Sequence, residues 1–155
     1  MNAPRTTLWD NRQAAPFAIR PAGRLGLLAV GTVLLGLLGT AAALRPEGRG
    51  YGTHQQLGLP PCTFKTFVGM RCPSCGMTTA WAHLMRGQLT KSAAANVGGL
   101  LLGVAALSIG PWALVSGLRG RWLGGRPSDS LAVALTAGVV TVTLIDWAVR
   151  IFLTG

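Results

Sequence analysis

Leu25 to Leu44 is a run of twenty residues without one charged side chain, and Val97 to Leu118 and Leu131 to Leu153 are two more apolar runs of similar length. No other feature limits the fold as much. At 1.5 Å per residue, a helix of twenty residues reaches about 30 Å, the thickness of the hydrocarbon core of a bilayer. A segment in lipid must satisfy its backbone polar groups internally, so each run is expected to be a helix rather than an open strand. The expected fold class is all-α: an integral membrane protein with three transmembrane helices, spans 25–44, 97–118 and 131–153. Pro111 lies inside the second run, where a membrane helix kinks rather than breaks. Ser128 or Asp129 is placed to cap the third. A cleaved signal peptide is the rival reading of the first run, since Ala41 to Ala43 resemble a cleavage site, but the run is long for a signal-peptide core.

The composition agrees. Half of the 155 residues are hydrophobic and 12% are charged, too little charge to cover a water-soluble domain of this size. A formal charge of +10 raises the question of nucleic acid. The cations flank the apolar runs instead, and no basic helix or aromatic-interleaved strand accompanies them, so nucleic acid is excluded and the bilayer is the expected partner. Near the span ends, the first segment (Arg12, Arg20, Arg24) and the 119–130 loop (Arg119, Arg121, Arg126) carry six cations. Arg45, Arg49, Arg86 and Lys91 of the first loop make four, which favours a cytoplasmic amino terminus.

Residues 1–24 read as a flexible basic tail, broken by Pro4, Pro16 and Pro21. Residues 25–155 read as one membrane domain, with the region 45–96 between its first two spans. That region holds Cys62, Cys72 and Cys75 and both histidines, His54 and His83, and is where specific chemistry is expected. Gly76 to Arg86 reads as a short amphipathic helix carrying the cysteine motif at its start, on or dipping into the membrane surface. Its face of Met77, Trp81, Leu84 and Met85 suits packing or an interfacial position.

Cys72, Pro73, Ser74, Cys75 and Gly76 form a CPxCG element. Two cysteines three apart at a helix start share a face, where the helix dipole favours thiolates, as a redox dithiol or disulfide requires. The same spacing in a zinc knuckle offers two thiolates over a turn that glycine permits. A closed zinc site needs four ligands; Cys62 is the candidate third, and His54 or His83 the fourth. A disulfide among three cysteines leaves one thiol free.

Cys62, Phe67 to Met70, Cys72 to Thr78, Leu84 to Gly87, Ala94 and Asn96 together resemble the DUF2752 family of small bacterial multi-pass membrane proteins. The likeness extends over roughly residues 60 to 155, to the closing pattern of Asp146, Trp147 and Arg150. It implies a membrane protein of the bacterial inner membrane and names no reaction. The family usually has arginine at the position of Thr79 and proline at that of Val97, so a charge partner or anion ligand built on that arginine is missing from this chain.

Asp146 lies inside the third run, where an unpaired carboxylate costs at least about 2.5 kcal/mol. Arg150 follows one turn later, and an i,i+4 pair on one face with the arginine reaching toward the interface is expected. It serves either to anchor the span beside Trp147 or to contact another helix or the cysteine region. The functional expectation is a non-enzymatic membrane module that assists assembly or binds a partner, another membrane protein among them. The alternatives are a thiol-disulfide or metal-binding protein using Cys72 and Cys75, with zinc as the cofactor in the latter case, and a small transporter or channel subunit.

Overall fold

The computed structural model describes residues 18–154, so residues 1–17 of the expected flexible tail lie outside the described residues. Six α-helices follow one another: α1 (Pro21–Ala43), α2 (Thr63–Val68), α3 (Met77–Leu84), α4 (Leu89–Ala95), α5 (Val97–Arg119) and α6 (Asp129–Thr154), with a 3-10 helix at Thr53–Leu57 between α1 and α2. α1, α5 and α6 are the three apolar runs, and each is long and apolar enough to cross a membrane.

The first helix starts at Pro21, four residues before the charge-free run, because proline at the first helical position loses no hydrogen bond that a helix there would make. The chain before it is also held: the Ile19 amide donates to the Gly120 carbonyl at 2.9 Å. α5 runs unbroken through Pro111 and ends on Gly120 in the left-handed region. Ser128 opens α6, its hydroxyl accepting from the Leu131 amide at 3.3 Å.

α1 and α5 run antiparallel in close contact. A Cβ on Gly31 of α1 would stand 2.7 Å from the Leu114 side chain and 2.9 Å from the Gly110 carbonyl oxygen, so the two backbones approach only because that position has no side chain. α6 packs on α5 near Gly98 and Thr143, while most of its surface stays exposed, as a lipid-facing helix requires.

The expected short amphipathic helix is present as α3, and its neighbours enclose it. α3 packs against α1, α4, α5 and the 3-10 helix, with Thr79, Ala80, Ala82 and Leu84 buried. The Trp81 indole, on the predicted apolar face, donates to the Gly99 carbonyl of α5 at 2.8 Å. The 3-10 helix falls in the Gly- and Pro-rich stretch up to Pro61, which reads as loop in the sequence, and α2 and α4 are short helices for which the sequence predicts no element.

Three arginines close helix carboxyl ends, where the last carbonyls have no partner within their own helix. Arg24 donates to the Gly117 and Leu118 carbonyls of α5, at 2.7 and 3.0 Å. Arg86 reaches the Ala42 carbonyl of α1 at 3.2 Å. Arg150 donates to the Ala95 and Ala93 carbonyls of α4 at 2.7 and 3.2 Å. Part of the positive charge therefore serves to join helices to one another.

Candidate functional site

The ends of α1 and α5 between which residues 45–96 run lie at one end of the bundle, and the cysteines gather there. Cys62 occupies the cap position of α2, while Cys72 and Cys75 lie in a turn just ahead of α3 rather than in its first helical turn. The Cys75 amide donates to the Cys72 carbonyl at 3.0 Å, closing that turn. Gly76 then takes φ +95°, a conformation open to glycine. The position also needs glycine for space, since a Cβ there would stand 2.5 Å from the Ala95 carbonyl oxygen.

The three Sγ atoms lie within 4.8 Å of one another. Cys72 is central, 3.5 Å from Cys62 and 3.2 Å from Cys75. All three are half-buried free thiols.

Their acidities diverge. The Lys65 backbone amide in the first turn of α2 is the main influence holding the Cys62 thiol below its ordinary value, acting without a formed cap hydrogen bond. Cys75 is pushed up to about 12, first by burial and then by its contact with the Cys72 thiol.

Asn96, at the junction of α4 and α5, holds the turn in place. Its side-chain amide donates to the Pro73 carbonyl at 2.9 Å and the Cys75 carbonyl at 3.1 Å, and its oxygen accepts from the Gly99 amide at 2.6 Å. One buried side chain thus caps α5 and satisfies two carbonyls of the cysteine turn. In the sequence Asn96 figures only in the family pattern, although an asparagine just before a long apolar run is itself a cap signal.

The histidines separate. His54 lines the same cavity as Cys62, Cys72 and Cys75, with Nε2 3.3 Å from the Pro60 carbonyl oxygen. His83 lies near the far end of α3, where Nδ1 meets the Gln88 side-chain oxygen at 2.7 Å. Among the described residues, the three cysteines form the cluster with ligand atoms close enough to share a metal, and neither histidine belongs to it.

Asp146 and Arg150 form the i,i+4 pair, with Arg150 Nε 3.0 Å from a carboxylate oxygen. The pair is part of a longer connection. Arg150 continues to α4, and the Trp147 indole donates to the Arg71 carbonyl at 2.6 Å, one residue from Cys72. The last helix is therefore fastened directly to the cysteine region. Asp146, Trp147, Arg150, Cys72 and Cys75 all face a second cavity, of about 270 Å³.

No curated protein and no solved structure matches the chain. The family model described as "Protein of unknown function (DUF2752)" matches residues 62–109, from the first cysteine through the motif, α3, α4 and half of α5. The match stops short of Asp146, Trp147 and Arg150, so that part of the resemblance rests on the pattern alone. Over the segment that builds the sulfur cluster, residues 62–109, the chain is similar to the DUF2752 family.

Proposed function

We propose that this chain is a non-enzymatic membrane module that holds a soft metal ion through Cys62, Cys72 and Cys75. The convergence of three Sγ atoms within 4.8 Å carries the reading. Two thiolates bound to zinc at about 2.3 Å in tetrahedral geometry stand roughly 3.8 Å apart, close to the separations observed. Thiolate ligands select zinc or Cu(I). A bound cation reverses the burial penalty at Cys75, because it lowers the energy of the thiolate more than that of the thiol. Of the two histidines, His54 is the one that lines the same cavity, and it is the proposed fourth ligand. The geometry thus favours the metal alternative over an unspecified partner-binding module, and a partner membrane protein becomes the acceptor or donor of the ion.

Three spans put the cysteine face on the side opposite the amino terminus. The distribution of cations favours that face being outside the cytoplasm, and the family resemblance favours the bacterial inner membrane. A reporter fused near Gly124 then reads as cytoplasmic; labelling of that loop from outside reverses the assignment.

The 3.2 Å contact between Cys72 and Cys75 favours a second reading, thiol-disulfide exchange. There the two thiols pass two electrons and two protons to a substrate disulfide, becoming a disulfide as the substrate is released as two thiols. Metal analysis of the full chain purified under reductant separates the two. The metal reading expects one zinc or copper per chain, weakened by His54→Ala and unaffected by His83→Ala. Metal-free protein with a readily formed Cys72–Cys75 disulfide supports exchange instead.

A further inference from the structure

We infer that the cations gathered on Tyr51, beside the sulfur cluster, form a binding site for a phosphate group. Lys65 Nζ lies 4.0 Å from the centre of the Tyr51 ring, the Arg71 guanidinium carbon 4.3 Å and the Arg49 guanidinium carbon 5.3 Å. These distances put every pair of the three within about 10 Å, the Debye length at 0.1 M salt, so their charges repel with little screening. A single phenol ring offers modest compensation for three cations.

Three other arginines are used differently. Arg24, Arg86 and Arg150 close helix carboxyl ends, and Arg150 also pairs with Asp146. Lys65 and Arg71 have no carboxylate within 4.0 Å among the described residues, and Arg49 meets Glu47 loosely at 3.7 Å, with both side chains about half exposed. The Lys65 ammonium instead donates to the Tyr51 hydroxyl at 2.5 Å, which fixes its position. Arg71 lines the second cavity together with Tyr51 and Lys65, while Tyr51, Lys65 and Arg49 line the cavity that exposes the three cysteines, a space of about 540 Å³. That volume suits a small-molecule ligand.

A positioned ammonium shared by the two cavities, with one guanidinium group lining each, supplies what a phosphate recognises: charge-assisted donors grouped beside open space. The phosphate has two possible sources. A soluble phosphate can enter the cavity, or the headgroup of an anionic lipid can supply it, since this end of the bundle stands where headgroups lie. The inference is independent of the metal reading, because the cations keep their places whether or not the sulfurs hold an ion.

The chain has two lysines: Lys65 lies over the Tyr51 ring, and Lys91 is exposed on α4. Reductive methylation of the reduced, metal-free full chain, mapped by mass spectrometry, therefore carries its own control. The protein is held in phosphatidylcholine nanodiscs and treated with inorganic phosphate against chloride at equal ionic strength. It is then moved to nanodiscs containing phosphatidylglycerol. A soluble source slows Lys65 relative to Lys91 at least about fivefold in phosphate, the factor that a net hydrogen bond of about 1 kcal/mol represents. A headgroup source gives that selective slowing in phosphatidylglycerol alone. Either effect should be lost in the Arg49→Gln, Arg71→Gln double variant. Equal slowing of both lysines, no slowing in either medium, or chloride acting as well as phosphate overturns the site, and these wild-type comparisons decide even if the double variant does not fold. Metal content is measured separately, so loss of the phosphate site leaves the sulfur site standing, and the reverse.

Discussion

Replacing Asn96 with aspartate removes one function of that side chain and keeps another. The oxygen that caps α5 at the Gly99 amide remains, while the two donors to the Pro73 and Cys75 carbonyls become an oxygen facing two oxygens. The present amide orientation is the one that satisfies all three partners. A buried carbonyl that loses its donor costs about 1–3 kcal/mol, and the two share one amide group, so a total of about 2–3 kcal/mol is a sensible expectation. The cost falls on the turn that sets the position of Cys72 and Cys75 beside Cys62, so it should appear in the affinity of the sulfur site. Groups that orient metal ligands are typically worth about 10–100-fold in affinity, which agrees with the energy just estimated. Competition with a chromophoric chelator on the full chain in detergent measures it. Asn96→Asp should bind zinc at least about 10-fold more weakly, with the helix content unchanged. Asn96→Ala should add a loss of stability of about 1 kcal/mol for the missing cap. Wild-type zinc affinity in Asn96→Asp would refute the role assigned to the turn.

Other substitutions test separate parts of the account. Gly76→Ala should lower thermal stability by more than about 1 kcal/mol and reduce metal loading, because it adds strain at positive φ to a clash with the Ala95 carbonyl; a wild-type melting temperature contradicts this. In chelator-treated, reduced protein at pH 8, maleimide should modify Cys62 well before Cys75. Cys62 is held low and reaches its thiolate form sooner, whereas Cys75 at about 12 stays a thiol until far higher pH; equal rates at both would overturn the order. Arg150→Ala should destabilise more than the Asp146→Asn, Arg150→Gln double variant, since it leaves an unpaired carboxylate in a span and frees the α4 carbonyls; refolding yields in lipid give the comparison.

The three spans were legible because a bilayer demands a long apolar run, and little else in a chain produces one. The Asp146 and Arg150 pair was legible for a similar reason, as i,i+4 geometry needs no knowledge of the rest of the fold. What Arg150 and Trp147 touch beyond that pair was not, because α4 and Arg71 lie more than fifty residues away. The helices α2 and α4 are six and seven residues long, too short to form on local propensity, and they exist through packing that no local pattern announces. The apolar face of α3 stands out in the sequence; its threonine and alanine face does not, yet Thr79, Ala80 and Ala82 are more deeply buried than Met77 and Trp81, small residues being what close helix contacts select. Cys62 is a candidate third ligand in the sequence by residue type alone, and the fold brings it to 3.5 Å from Cys72. Arg49, Tyr51, Lys65 and Arg71 left no joint signal, since their meeting depends on α2 folding back over the loop that follows α1.

If the three sulfurs hold one ion together, X-ray absorption at the metal edge counts them directly. Full-length protein purified under reductant and loaded with one equivalent of zinc should show three sulfur scatterers at about 2.3 Å and one lighter atom, falling to two sulfurs in Cys62→Ser. A zinc shell of oxygen and nitrogen alone, or three sulfurs retained in Cys62→Ser, would contradict the three-cysteine site.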